Sequence, residues 1–302
     1  MLFNFNIRFY LCFLFFLFVT PWIFGQIESI SSPDGKLVLT VETEGEIHWN
    51  ISLNGKPVIE EVGIAMLMGG ERILGKNAKL KDRVLDKRSE TIVPVISHKD
   101  AKIESEYAEL ELNYKDAYSI LFRLFNDGVA YRFIDSKRQS AIVENEILKL
   151  RLPQGSKSYF PKEESMYSHN ERLYEYKEIS DIKTGEFCSL PVLFENPESK
   201  VLVTEAALHN YPGMFLKKEG DGLQSLFPKF VLKAVSNELN SPDRNQIIEK
   251  EAGYIAEVEG ARAYPWRVFI VGNEDKVFLE SNLVTQLSDR SKIKDPSWIK
   301  PG

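Results

Sequence analysis

Ala108-Glu109-Leu110-Glu111-Leu112-Asn113-Tyr114 sets apolar and polar side chains in strict alternation. Successive side chains of an extended chain point to opposite faces, so this segment reads as a strand with one apolar face and one polar face. Asp116-Ala117 then turns the chain into a second apolar run through Ile120, Phe122 and Leu124, and Asn126-Asp127-Gly128 turns that into Val129-Ala130-Tyr131-Arg132-Phe133. Three consecutive strands joined by tight turns predict an antiparallel sheet with one buried face.

The pattern extends in both directions. Ile47, Trp49, Ile51 and Leu53 alternate with His48, Asn50 and Ser52, and Asn54-Gly55 supplies a hairpin turn. Further strands are expected at 148–152, 201–204, 227–233, 255–259 and 268–271. Short strands separated by turn signals, with no helical periods between them, predict an all-β fold, a large antiparallel sandwich rather than a βαβ arrangement. Only 275–287 looks helical, because Leu279, Leu283 and Leu287 recur at i, i+4 and i+8 beside Val277 and Val284. The polar stretch 288–294 reads as a linker. The expected division is 1–25 leader, 26–271 sandwich and 272–302 helical linker.

The first 25 residues carry one charge, Arg8, before the apolar run from Leu11 to Val19. About nine unbroken apolar residues fall well short of the roughly 20 that span a bilayer. The segment therefore reads as a signal peptide cleaved after Gly25, with the mature chain exported to the periplasm or beyond and not held in a membrane. Cys12 leaves with it, and Cys188 remains as a single thiol that reads as a small buried hydrophobe.

A formal charge of −6, with acidic and basic residues interspersed, argues against a nucleic-acid partner. The densest basic stretch, 79–88, is interrupted by Asp82 and Asp86 and reads as a solvated strand or turn. Four histidines, His48, His98, His169 and His209, are scattered without metal spacing. The sequence holds neither a glycine-rich phosphate loop nor a Gly-x-Ser-x-Gly elbow.

Several ordered motifs resemble glycoside hydrolase family 97. They are Ser32-Pro33-Asp34-Gly35-Lys36, Asn126-Asp127-Gly128-Val129-Ala130-Tyr131-Arg132, Thr204-Glu205-Ala206-Ala207-Leu208-His209-Asn210-Tyr211-Pro212-Gly213-Met214, Arg262-Ala263-Tyr264-Pro265-Trp266-Arg267-Val268 and Asp295-Pro296-Ser297-Trp298-Ile299-Lys300-Pro301-Gly302. The resemblance implies the amino-terminal domain of such an enzyme, a galactose-mutarotase-like β super-sandwich that supports a catalytic (β/α) barrel. It also implies that 297–302 lies where a linker enters that barrel. The barrel itself is expected to be absent from these 302 residues, so whether this chain is an enzyme by itself stays open here, because the family's catalytic carboxylates belong to the barrel.

By the same resemblance Glu205 matches one carboxylate that the sandwich contributes to an active-site calcium ion, whose remaining ligands are expected from the barrel. His209 and Tyr211 follow in a loop bent by Pro212-Gly213, and are expected either to line a sugar site for an oligosaccharide or α-glycoside or to pack against the barrel. Tyr264-Pro265-Trp266-Arg267 is readable as a stacking platform. Since it runs into the apolar residues 268–271, a core or interface role is expected, with Arg267 paired to an internal carboxylate. Glu163, Glu164 and 169–172 read as a surface loop. Two other functions stay open: a free-standing mutarotase-type epimerase using a His and a Glu, and a docking partner of a separate barrel chain.

Overall fold

The computed structural model describes residues 26–96, 98–236 and 246–300. The expected signal peptide, with Arg8 and Cys12, and the last two residues lie outside them. The chain builds two antiparallel sheets packed face to face. In spatial order the first runs Ile27–Ser31, Leu37–Glu42, Ile47–Leu53, Lys56–Met68, Ala141–Arg151, Gly222–Leu226, Phe215–Glu219 and Phe187–Cys188. The second runs Leu80–Ile92, Ile103–Tyr114, Tyr118–Phe125, Gly128–Asp135, Trp266–Gly272, Lys200–Ala206, Val192–Glu195, Lys157–Glu163 and Tyr174–Glu178. Lys157–Glu163 also pairs through Lys162 and Glu163 with Phe187–Cys188, so one strand joins the two sheets.

Alternation explains the packing. Ile47, Trp49 and Ile51 are buried while Asn50 between them is exposed. Trp49 crosses the interior, its ring lying 4.9 Å from Phe269, 5.9 Å from Tyr131 and 6.3 Å from Phe122, all on the opposite sheet. Edge-to-face contacts of this kind bury a large apolar area and fix the ring geometry. Asn54 and Gly55 both adopt positive φ, 51° and 76°, as the tight turn between Ile47–Leu53 and Lys56–Met68 requires.

A second apolar cluster lies on the outer face of the second sheet, where Leu283 and Leu287 pack with Trp266, Val268 and Ile270. The single helix expected at 275–287 is two short ones, Asp275–Glu280 and Leu283–Leu287. Lys99 Nζ binds the carbonyls of Leu279 and Ser281, and Asn282 binds Asp100, so the freed backbone groups have partners at the break. The expected stripe is broken accordingly: Leu283 and Leu287 are buried, whereas Leu279 is 75% exposed.

The strand expected at 227–233 is Val231–Ser236 instead. Pro228 has no N–H to give a ladder, and Phe227 turns inward and is buried. The interrupted basic stretch belongs to the long exposed strand Leu80–Ile92. Cys188 is buried, and burial pushes its thiol well up, which keeps it protonated. Glu163, expected in a surface loop, is buried and pairs with Arg172 Nε at 2.7 Å.

Candidate functional site

The site begins with two directly opposed residues. Lys200–Ala206 pairs with Trp266–Gly272 so that Glu205 faces Arg267, and both side chains point to the inner face of the sandwich. Arg267 is wholly buried and Glu146, from the other sheet, is 2% exposed. The guanidinium donates in a fork to Glu146, Nε to Oε1 at 2.7 Å and Nη2 to Oε2 at 2.6 Å, and Nη1 donates to Glu205 Oε1. The internal carboxylate expected for Arg267 is thus Glu146, with Glu205 as a second. The rings of Phe227 and Tyr211 lie 5.2 and 5.8 Å from the guanidinium carbon.

Two carboxylates share one guanidinium. Burial raises the Glu205 carboxyl above its ordinary range; Arg267 and the Met214 N–H pull it down, and Glu146 pushes it up again. For Arg267, burial acts to lower the pKa, but Glu146 and Glu205 outweigh it and hold the guanidinium charged.

This triad fixes the loop between Lys200–Ala206 and Phe215–Glu219. Glu205 Oε2 accepts the Met214 N–H at 3.0 Å, and Tyr211 donates its hydroxyl to Glu146 Oε2 at 3.0 Å. Ala207 and Asn210 take positive φ, 54° and 46°, and Arg262 Nη2 donates to the His209 carbonyl at 2.9 Å. The loop borders an open cleft of about 1530 Å³, whose rim includes His209, Asn210, Tyr211 and Pro212. Lys229, Phe230, Arg72, Asp135 and Lys137 also line it. Arg72 is forked onto Asp135 at 2.6 and 3.2 Å and donates to Asp116 at 2.6 Å, while Lys137 donates to Asp116 at 3.0 Å.

The expected residues divide accordingly. His209 is exposed at the cleft mouth, its Nε2 3.2 Å from Asp289. Tyr211 borders the cleft, but its ring is buried against Phe227 and Tyr264 and its hydroxyl is committed to Glu146. Tyr264 and Trp266 are core rather than platform, with exposures of 2% and 1%, and Arg132 stacks on Trp266 at 4.2 Å. Glu146, Arg72 and Asp135 did not stand out in the sequence. Each sits within an ordinary strand pattern, and only the fold brings it to Arg267 or Asp116.

Among the described residues no group of three or more His, Cys, Asp or Glu is placed to hold a metal. Glu205 supplies one carboxylate whose oxygens already bind Arg267 and the Met214 amide. Calcium takes 6–8 oxygen ligands, several of them charged. With a guanidinium in contact and no metal-holding cluster among the described residues, these residues do not fit calcium by themselves.

The model of the family described as Glycosyl-hydrolase 97 N-terminal matches residues 30–289. A retaining alpha-galactosidase of Bacteroides thetaiotaomicron is 27% identical over 289 residues, which are 91% of this chain and 43% of that protein. A glycoside hydrolase family 97 enzyme from Pseudoalteromonas sp. strain K8, solved with acarbose, superposes with a TM-score of 0.76 at 17% identity, over 91% of this chain and 40% of its own. A beta-arabinopyranosidase superposes with a TM-score of 0.69 at 22% identity, over 85% and 42%. The two structures share the fold. The chain spans 43% of the length of the first relative and 40% of that of the family 97 structure.

Proposed function

This chain belongs to glycoside hydrolase family 97 through its amino-terminal domain, and from that premise we propose that it is an exported carbohydrate-binding domain that supports and completes the active site of a catalytic (β/α) barrel. The substrate class is an oligosaccharide or α-glycoside, in keeping with a relative that is an alpha-galactosidase and a fold neighbour solved with acarbose.

One observation carries the reading. The loop 207–214 is tied down at Tyr211 and Met214 by the charged triad and borders the large cleft. Loops that carry binding groups on a rigid scaffold work by such anchoring, because order fixed in advance lowers the entropy lost on binding. The cleft combines an aromatic ring, Phe230, with the cations Arg72, Lys229 and Arg262, which suits a ligand with apolar ring faces and hydroxyl edges.

The test is a calorimetric titration of stachyose and maltoheptaose into the chain and into Arg262→Ala, which frees the His209 carbonyl. Binding by the chain that weakens about tenfold in the variant supports the reading. Equal titration curves for the two proteins count against it.

A further inference from the structure

Away from the cleft, the edge strand Tyr174–Glu178 carries two tyrosines at i and i+2, 52% and 50% exposed. Residues two apart on a strand share a face and stand roughly 6.6 Å apart. In the register Tyr176 lies opposite Tyr159, and Tyr174 opposite Pro161. Tyr176 packs on Tyr159 with ring centres 4.7 Å apart, and its hydroxyl donates to Glu195 Oε2 at 2.6 Å. Glu195 belongs to the strand beyond Lys157–Glu163, so the Tyr176 ring lies across the sheet surface rather than standing off it. The Tyr174 hydroxyl donates to the Pro191 carbonyl at 3.3 Å.

Both rings are therefore held at two points, the backbone and the hydroxyl, and each keeps about half its surface open. Lys157, whose Nζ lies 5.5 Å from the centre of the Tyr176 ring, and Glu195 put charged groups on the same face. A protein-docking core is poor in charge. A pyranose ring differs: it offers an apolar C–H face to an aromatic ring and hydroxyls to the charges around it.

We propose that Tyr174 and Tyr176 form a second carbohydrate site, a surface platform that stacks pyranose rings of a neutral oligosaccharide outside the cleft. The proposal deepens the reading of the chain as a carbohydrate-binding domain and rests on it. Pre-ordered rings lose little entropy on contact, so a shallow platform suffices for weak, repeated binding along a glycan.

The test titrates maltoheptaose and stachyose into the intact chain, into Tyr174→Ala/Tyr176→Ala and into Arg262→Ala. Both tyrosines are half exposed on an edge strand, so the double variant keeps its core, and an unchanged melting temperature checks this. The expected result is a class of sites weakened about tenfold or more in the tyrosine variant and retained in Arg262→Ala. A tyrosine variant that binds like the parent overturns the platform and leaves the cleft to be judged by Arg262→Ala alone. An altered oligomeric state with sugar binding unchanged also overturns it, and assigns the patch to protein contact.

Discussion

Glu205 and Arg267 stand opposite each other on paired strands, and Arg267 reaches past that pair to grip Glu146 on the other sheet. One guanidinium therefore bolts the two sheets together and, through Glu205 and Tyr211, sets the loop that borders the cleft.

Arg267→Met leaves the buried Glu146 and the partly buried Glu205 carboxylates without their cation. Breaking a buried ion pair by removing one partner costs about 3–5 kcal/mol, and urea unfolding is expected to show a loss of that size. Adding Glu146→Gln and Glu205→Gln recovers most of it, since the uncompensated charges are then gone. A loss under about 1 kcal/mol in the single variant would contradict the bolt.

The pH response follows from the raised Glu205 carboxyl. Between its ordinary value of 4.5 and its higher folded value, the native state binds more protons than the unfolded state. The stability contributed by Glu205 is thus full below 4.5 and is lost as pH rises through the folded value. Melting curves across this window should show the parent losing ground to Glu205→Gln as pH increases. The opposite trend would mean that Arg267 outweighs burial at this carboxyl.

Gly128→Ala tests the close approach of the strand Gly128–Asp135 to its neighbour. A β-carbon there would lie 2.3 Å from the Phe269 carbonyl oxygen and 2.9 Å from Leu283 Cδ2. Overpacking of this kind costs about 1–3 kcal/mol, read as a lowered melting temperature. An unchanged melting temperature would mean that the two strands part easily.

Calorimetric titration with calcium should show binding no tighter than about millimolar, because Glu205 already serves Arg267 and the Met214 amide. Micromolar affinity would place ligands here that the structure does not bring together.

Much of the fold was legible in the sequence because half-buried strands write their burial as alternation. The strand carrying Trp49 and the run from Ala108 to Phe133 announce themselves in this way. Lys56–Met68 did not, since Val58 and Ile59 are buried side by side where the pairing register shifts, and Leu80–Ile92 did not, since its charged residues are exposed almost throughout. The helix break at Ser281 depends on Lys99 and Asp100, far away in the chain. At the site, Glu205, His209 and Tyr211 lie in one quotable stretch, and an internal carboxylate partner for Arg267 was expected from its place beside an apolar strand. That the partner is Glu146, 121 residues away, follows only from the stacking of the sheets.

The most direct test of the account is to follow backbone amide NMR signals while stachyose or maltoheptaose is added to the chain. Shifts in His209–Asn210–Tyr211 and in Arg262–Ala263–Tyr264, moving together on one binding curve, are the predicted result. Sugar-induced shifts that leave both segments unmoved would contradict it.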